Sequence, residues 1–243
     1  IGEAREFLVR ALPKQKRILF VGAPGVGKTF VKMEACQILG WDLIGICSAL
    51  EDPSTIRGYP SRGADGYATH CLFDSIAKAF KAEGPTVLDF DDLGMASEST
   101  MRSIIRLFQF GEIDGRKLPD HVVLSASTND VGHGAGVYGM LEPLKSRFHT
   151  IVNVETCVED VVVYGLANGW DTGLLGYLRN GPPPGSGFEV FDWKPSKTMH
   201  MGGATPRGYD YSAQWLAMGV EDREVHEGCL GKGNAVAMLA FRE

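Results

Sequence analysis

Residues 22–29 read GAPGVGKT, and they fill every fixed position of the pattern G-x-x-x-x-G-K-[ST]. The continuous apolar run at 17–21, RILFV, comes directly before them, and a helical pattern at 29–39 follows. A glycine-rich turn between a buried strand and a helix is the context in which this pattern holds the phosphates of a nucleotide. The stretch therefore predicts a P-loop.

The residue types in the predicted loop each have a chemical task. Glycines let backbone N–H groups curve around phosphate oxygens, Lys28 brings a positive charge to the β and γ phosphates, and the Thr29 hydroxyl is a ligand for Mg²⁺. We therefore expect ATP or ADP with Mg²⁺ at this site. The predicted nucleotide-binding residues are Gly22, Ala23, Pro24, Gly25, Val26, Gly27, Lys28 and Thr29.

Strand and helix patterns alternate outward from the loop, after a short entry helix predicted at 2–12. This alternation predicts an α/β fold of the P-loop NTPase type, a three-layer sandwich around a mostly parallel five-stranded sheet. The predicted strands are 17–21, 42–48, 86–90, 121–127 and 149–155, and the predicted helices between them are 29–39, 71–83 and 100–110.

The later part of the chain shows different patterns. Asp114-Gly115 is a strong two-residue turn signal and predicts a small hairpin between two strands. Strand patterns fade after residue 156, and helical patterns replace them. We therefore expect a nucleotide-binding α/β domain over 1–155 and a small helical lid domain over 156–243. The predicted lid helices lie around 158–168, 207–218 and 232–241.

The composition excludes some classes of partner. The 243 residues carry a formal net charge of −6, so the chain lacks a global positive field for nucleic acid, and such a partner is not supported. The five cysteines form no C-x-x-C pair and no zinc-ligand group with histidine, which favours reduced thiols. No apolar run suits a membrane span and no signal peptide opens the chain. We expect a cytoplasmic protein without membrane contact.

Acidic residues follow the predicted strand at 86–90. Asp91 lies at the strand end, where we expect the Mg²⁺ ligand, and Asp92 is placed to orient and deprotonate an attacking water. Asp89, in the middle of the strand, is the alternative metal ligand, or it forms a structural ion pair because a lone buried carboxylate is costly. The strand-end position favours Asp91.

Three further polar residues have two interpretations each. Asn129, at the end of the next apolar run, can hydrogen-bond a γ-phosphate or a water, or it can cap a loop together with Thr128. Arg147, in LKSRF, precedes the last predicted strand, and Arg207, in TPRGYDYSAQWL, opens a predicted helix. Either arginine can be an ordinary surface charge or can stabilise charge on transferring phosphoryl oxygens.

As a set, these motifs resemble those of AAA+ ATPases, and more narrowly those of the MoxR-like group. The likeness covers almost the whole chain: Walker A, Walker B in TVLDFDD, a sensor-1 asparagine, an arginine finger in LKSRF and a sensor-2 arginine in TPR. The strings EDPSTIRGYP, FGEIDGRKLPDHVVLSAST and GVYGMLEPLKSRF carry the narrower likeness. In two departures, Asp92 replaces the usual glutamate, and Ser146 stands where an acidic residue is common. The first departure puts the rate of hydrolysis in question.

The resemblance implies a homo-oligomeric ring, commonly a hexamer, with ATP between subunits. It implies Asn129 as sensor 1, Arg147 as a finger that reaches the ATP of the neighbouring subunit, and Arg207 acting in cis from the lid. The segment 58–70 would then line the ring, or it is a solvated loop. Relatives of this kind often work with a partner that carries a von Willebrand factor A domain, and they remodel a client protein.

Three functions stay open at this point. The first is an ATP-driven protein remodeller or chaperone. The second is a nucleic-acid motor or loader, for which the basic residues Arg57 and Arg62 are few and are followed by Asp65. The third is an ATP-dependent assembly switch that does not hydrolyse its nucleotide.

Overall fold

The computed structural model describes residues 2–130, 139–192 and 203–242. The strands in chain order are β1 (Ile18–Gly22), β2 (Asp42–Cys47), β3 (Tyr59–Arg62), β4 (Ala68–Cys71), β5 (Thr86–Asp91), β6 (Glu112–Ile113), β7 (Arg116–Lys117), β8 (Val122–Asn129) and β9 (Thr150–Asn153). The helices are α1 (Gly2–Ala11), α2 (Lys28–Leu39), α3 (Pro53–Arg57), α4 (Asp74–Phe80), α5 (Glu98–Phe110), α6 (Glu142–Lys145), α7 (Val158–Ala167), α8 (Thr172–Asn180), α9 (Pro206–Ala217), α10 (Arg223–Leu230) and α11 (Lys232–Arg242).

The main sheet has five parallel strands in the spatial order β2-β5-β8-β1-β9. The predicted α/β sheet is therefore confirmed. The strand that precedes the P-loop, β1, lies between β8 and β9, and β5 lies next to β8. As a result, the carboxyl ends of β1, β5 and β8 are neighbours at one edge of the sheet, where open α/β sheets bind their ligands.

Helices cover both faces of this sheet. Successive side chains of a strand point to opposite faces, so Val87 packs with α1 and α2, whereas Leu88 packs with α5 on the other side. Each face buries its own apolar cluster. Val31 lies in the cluster between the sheet and helices α1 and α2, and Ile104 lies in the cluster between the sheet and α5. These two clusters make the predicted three layers.

Helices α7 to α11 enclose a separate buried cluster. Its largest side chains include Tyr177 and Tyr209, and the hydroxyl of Tyr177 donates a 2.7 Å hydrogen bond to Oδ1 of Asn234 within it. The three helices predicted around 158–168, 207–218 and 232–241 are confirmed as α7, α9 and α11, whereas α8 and α10 were not predicted. The domain division at residue 155 stays a prediction.

Two hairpins form small sheets of their own beside the main sheet. The predicted turn Asp114-Gly115 joins β6 to β7, with φ of 46° and 79°, the conformation that a two-residue hairpin turn requires. The segment 58–70, expected to be a loop, instead forms the antiparallel hairpin β3–β4. The predicted helix at 71–83 is also too long, because residue 71 pairs within this hairpin and α4 begins only at residue 74. The sequence did not indicate β3 and β4 because these short, mostly polar strands lack the apolar alternation that marks a strand.

No helix among the described residues is both long and apolar enough to cross a membrane. Residues 136–138, which begin the string GVYGMLEPLKSRF, lie outside the described residues, as do the two outermost residues of the predicted domains.

Candidate active site

The P-loop joins β1 to α2 at the carboxyl edge of the sheet. Gly25 and Gly27 have φ of 75° and 97°, in the left-handed region that favours glycine. Gly22 is needed for a different reason, because a Cβ atom there would clash with the carbonyl oxygen of Val154. Val26 is buried in the core between the sheet and α2. The loop is thus anchored at its ends and centre, with the N-terminus of α2 facing the cleft.

Lys28 lies against the backbone of the loop. Its Nζ atom donates hydrogen bonds to the carbonyl oxygens of Gly22 and Ala23, at 3.0 and 2.9 Å, and to Oδ1 of Asn129 at 2.8 Å. Burial lowers the pKa of Lys28 to about 8, although the carboxylates at the end of β5 act in the opposite direction. A cation in such a poorly hydrated place interacts strongly with phosphate oxygens.

Thr29 and Asp91 are in direct contact. The Thr29 hydroxyl donates a 2.7 Å hydrogen bond to Oδ2 of Asp91, while Oδ1 accepts hydrogen bonds from the Ser127 hydroxyl and from the N–H of Asp92. Burial by itself would raise the pKa of Asp91, but the charge of Lys32 and these hydrogen bonds hold it below its usual value. Asp91 is therefore an ionised carboxylate beside a hydroxyl, and both offer the oxygen ligands that Mg²⁺ prefers.

Asp92 occupies a special backbone position. Its φ is 51°, and aspartate is one of the few residues besides glycine that adopt this left-handed conformation at modest cost. Burial and the neighbouring charge of Asp91 raise the pKa of Asp92, which brings the carboxylate closer to the range of a general base. The side-chain amide of Asn129 lies 3.5 Å from Oδ1 of Asp92, so the ends of β5 and β8 meet here.

Asp89 does not line the cleft and instead forms a buried ion pair with Lys32. Its carboxylate accepts a hydrogen bond from Nζ of Lys32, and both side chains are almost fully buried. Burial raises the pKa of Asp89, and Lys32 opposes this effect. Nζ of Lys32 also donates a 3.1 Å hydrogen bond to Oγ of Ser127, which in turn contacts Asp91. Asp91 is therefore the carboxylate that contacts Thr29, whereas Asp89 is paired with Lys32.

Lys32 and Ser127 were missed by sequence reasoning. Two signals were present, because Lys32 follows Thr29 by three residues on the same helix, and Ser127 precedes Asn129 by two residues on the same strand. Such spacings place side chains on one face of a helix and one face of a strand. What the sequence lacked was the strand order that brings these two faces together.

Arg207 lines the cleft from the first turn of α9, next to the P-loop. Thr205 caps this helix by accepting a hydrogen bond from the N–H of Gly208, and the N–H of Arg207 donates a 3.3 Å hydrogen bond to the carbonyl oxygen of Gly25. The helical region thus touches the P-loop directly. Pro206, at the first helical position, has no N–H to leave unsatisfied.

The resulting cleft has a volume of about 680 Å³. The aromatic side chains of Phe30, Tyr164 and Trp170 also line it, and the ring of Tyr164 packs edge-on against those of the other two. Almost all predicted site residues line it, with the exception of Gly22 and Ala23, whose carbonyls bind Lys28, and of Arg147. The lining residues that the sequence predicted are Pro24, Gly25, Val26, Gly27, Lys28, Thr29, Asp91, Asp92, Asn129 and Arg207.

Arg147 lies outside this cleft. Its guanidinium donates hydrogen bonds to the carbonyl oxygen of Pro143, to Oγ of Ser146 at 3.0 Å and to Oε1 of Gln109 at 3.2 Å. These contacts hold the arginine at the junction of α5 and α6. Among the described residues, these hydrogen bonds go to none of the predicted nucleotide-binding residues.

Metal ligands at this site are few. Within residues 2–130, 139–192 and 203–242, no group of three or more histidine, cysteine, aspartate or glutamate side chains could hold a metal ion. A divalent cation would therefore bind Thr29 and Asp91 together with oxygens of the substrate. This is the usual mode for Mg²⁺, which is held by one or two protein groups plus phosphates and water.

Comparison with known proteins gives structural neighbours only. No protein-family profile and no curated protein sequence matches the chain. The RuvB Holliday junction branch migration motor of Thermotoga maritima is similar in structure, with a TM-score of 0.51, 14% identity, and 99% of this chain and 67% of RuvB covered. A candidate ATPase from Cytophaga hutchinsonii has a TM-score of 0.50 and 16% identity, over 68% of this chain and 49% of that protein.

NtrX from Brucella abortus matches with a TM-score of 0.48 and 16% identity, over 74% of this chain and 45% of NtrX. The chain thus spans about half the length of NtrX and of the Cytophaga protein, and two thirds of RuvB. At these identities the likeness of RuvB and the Cytophaga protein shows the fold alone, which is the α/β fold of P-loop NTPases.

Proposed function

We propose that this chain binds ATP with Mg²⁺ in the cleft between the P-loop and α9, and that it hydrolyses the ATP as an ATPase of the AAA+ type. One observation carries the proposal: Lys28, Thr29, Asp91 and Asn129 come from three different elements and meet at the carboxyl edge of the sheet. A chance glycine-rich turn would not collect a buried cation, a hydroxyl and a carboxylate at one place.

The side chains divide the chemistry between them. Lys28 and the backbone N–H groups of the loop bind the phosphates, and Thr29 with Asp91 would hold Mg²⁺. The metal ion supplies charge neutralisation at the phosphate oxygens when bound. Asp92 orients a water and accepts its proton, and Asn129 holds that water or the γ-phosphate. Arg207 contributes positive charge from the helical side of the cleft.

The proposal extends to a ring of identical subunits, commonly six. Arg147 lies outside the cleft of its own chain and is held by neighbouring groups at the junction of α5 and α6. That arrangement supports a role in a second copy, where the guanidinium would stabilise charge on the ATP of the adjacent subunit. We propose Arg147 as this finger.

For the client we propose another protein, in the manner of the MoxR-like group, and for the partner a protein that carries a von Willebrand factor A domain. The net charge of −6 supports a protein client over nucleic acid. RuvB is described as a Holliday junction motor, so nucleic acid is included in the test. A several-fold rise of turnover with DNA or RNA at moderate salt would replace the protein remodeller by a nucleic-acid motor.

A second candidate function is a nucleotide-dependent assembly switch without hydrolysis. The observation that favours it is Asp92, because its side chain is one methylene shorter than that of glutamate and its carboxylate reaches less far toward a water. The left-handed backbone at this residue also suits aspartate. Such a protein would bind ATP and assemble, but it would release phosphate only at the background rate.

The deciding experiment measures nucleotide binding, assembly and phosphate release together. The unchanged chain should bind ATP in the presence of Mg²⁺ and release phosphate, and Lys28→Ala should bind about 10- to 100-fold more weakly, because it loses a charged hydrogen-bond donor to phosphate. Lys14→Ala, which removes an exposed lysine remote from the loop, is the matched control. Binding and assembly without phosphate release would establish the switch, and absence of binding would refute both candidates.

A further inference from the structure

A path of buried polar side chains runs beneath the P-loop, from the core to Asp91. Lys32, on α2, has 1% of its side chain exposed, and its Nζ atom contacts both Asp89 on β5 and Oγ of Ser127 on β8. The hydroxyl of Ser127 then donates a hydrogen bond to Oδ1 of Asp91. Asp91 ends this path at the surface of the cleft, where it accepts the hydrogen bond from Thr29.

The path lies where an apolar core is expected. Val87 and Val123 on the same strands face α2 within the buried cluster, and the alternation of the strands sends Asp89 and Ser127 to that same side. A buried ion pair rarely adds stability compared with well-packed apolar residues of similar volume. A stability argument alone therefore gives no reason for a lysine in this position.

The geometry of the serine suggests what the lysine does. A hydroxyl has one proton to donate, and Ser127 uses it for Asp91. Because the ammonium group of Lys32 donates to the oxygen of the same hydroxyl, at 3.1 Å, the serine proton is directed away from Lys32 and toward the carboxylate. Asp89 in turn accepts from Lys32, which keeps the ammonium group at this depth.

We infer that Lys32 is a positioning residue, which acts through the Ser127 hydroxyl to hold Asp91 in the orientation that receives Mg²⁺ beside Thr29. The inference rests on the proposed function, since it concerns the same nucleotide site. It adds a residue outside the P-loop motif that makes no hydrogen bond to Asp91 itself and is linked to it through the Ser127 hydroxyl and through its charge. Groups that orient a metal ligand typically change metal affinity by about 10- to 100-fold when removed.

The alternative role of Lys32 is to neutralise Asp89 and nothing else. The two roles are separated by the double variant Lys32→Met/Asp89→Asn, in which neither charge remains and no buried ion is left unpaired. If Lys32 only neutralises Asp89, this double variant should behave like the unchanged protein. If Lys32 positions Asp91, the double variant should fold but should require more Mg²⁺.

The experiment titrates a fluorescent ATP analogue into the full chain, first with EDTA and then with rising Mg²⁺. For Lys32→Met/Asp89→Asn and for Ser127→Ala we expect affinity in EDTA within about twofold of the unchanged protein. We also expect the Mg²⁺ concentration for half-maximal tightening to rise about tenfold, as for a lost orienting group. Circular dichroism confirms the fold of each variant. If Lys32→Met/Asp89→Asn does not fold, the apolar pair Lys32→Met/Asp89→Leu replaces it, because Ser127→Ala tests the hydroxyl and leaves the lysine in place.

Ser125→Ala is the matched control, because Ser125 is also buried and pairs with Asp89 in the sheet register, two residues before Ser127. Its Mg²⁺ requirement should stay unchanged. A normal Mg²⁺ requirement in the double variant or in Ser127→Ala overturns the inference while the proposed function stands. An unchanged protein that binds no nucleotide, or binds it equally with and without Mg²⁺, refutes the proposed function, and the inference fails with it.

Discussion

Nζ of Lys28 lies 2.8 Å from Oδ1 of Asn129, a contact between the first turn of α2 and the end of β8 across 101 residues of sequence. The contact exists because β1, which leads into the P-loop, pairs with β8 and places Gly22 opposite Asn129. It links the group proposed to bind the phosphates to the polar residue proposed to sense them. A change in the position of Lys28 on nucleotide binding would therefore reach β8 directly.

The first prediction concerns pH. The pKa of Lys28 is lowered by burial to about 8 in the free protein, and the phosphates of a bound nucleotide would raise it again. Binding should then take up a proton above pH 8, and affinity should fall there by up to about tenfold per pH unit. Calorimetric titrations from pH 7 to 10, in buffers of different ionisation enthalpy, measure both quantities.

Lys28→Arg is the control for this titration, since its guanidinium keeps its charge over the whole range and the slope of affinity against pH should vanish.

The contribution of Lys28 to the stability of the free protein should change with pH in the opposite direction to the affinity. Because the folded pKa lies below the ordinary value of 10.5, the unfolded chain binds more protons between these two values, and the contribution of Lys28 to the free energy of unfolding rises with pH. A pH-independent affinity would show that Lys28 is not the titrating group.

The second prediction separates Asp89 from Asp91. Asp91→Asn should lose Mg²⁺-dependent turnover with little change in stability, because Asp91 lies at the surface of the cleft beside Thr29. Asp89→Asn leaves the buried charge of Lys32 without its carboxylate, which should lower the free energy of unfolding by about 3 to 5 kcal/mol. Urea denaturation and phosphate release measure the two effects. Loss of the Mg²⁺ response in a folded Asp89→Asn variant would assign the metal to Asp89.

The third prediction concerns Arg147. Arg147→Ala should leave nucleotide affinity unchanged and lower turnover by about three orders of magnitude, as expected for an arginine finger. Addition of Asp92→Asn protein, which is inactive but retains Arg147, should restore some activity in mixed rings. Arg102→Ala, which removes an exposed arginine paired with Glu98, is the control. Full activity of Arg147→Ala would exclude the finger, and the absence of rescue would count against action between subunits.

The fourth prediction concerns the length of the proposed base. Asp92→Glu should raise turnover by about 10- to 100-fold if the carboxylate of aspartate falls short of the water, since a misplacement of about 1 Å has effects of this size. The same change should cost about 1 kcal/mol of stability, because glutamate suits the left-handed conformation less well than aspartate. Steady-state phosphate release and thermal unfolding measure the two effects.

Asp92→Asn is the matched comparison, because asparagine tolerates the same backbone conformation but accepts no proton. It should retain the stability of the unchanged protein and lose turnover. If Asp92→Asn released phosphate as fast as the unchanged chain, Asp92 would have no part in the proton transfer.

Local patterns account for what could be predicted of the fold. The five parallel strands and the hairpin turn at Asp114-Gly115 depend on apolar period and on turn chemistry within a few neighbouring residues. The hairpin β3–β4 escaped prediction because its strands are short and mostly polar. They are held by hydrogen bonds to each other, and no buried apolar face marks them in the sequence. Helices α8 and α10 also escaped prediction.

The P-loop and the residue types at the strand ends were determined by the sequence itself, because a glycine-rich turn, a lysine and a hydroxyl act through consecutive backbone positions. Only the tertiary structure decided that Asp91 contacts Thr29 while Asp89 is buried against Lys32, and that Arg147 lies outside the cleft. The physical reason is that hydrogen bonds and ion pairs between elements depend on strand order and register, which bring together side chains that are 57 to 101 residues apart in the sequence.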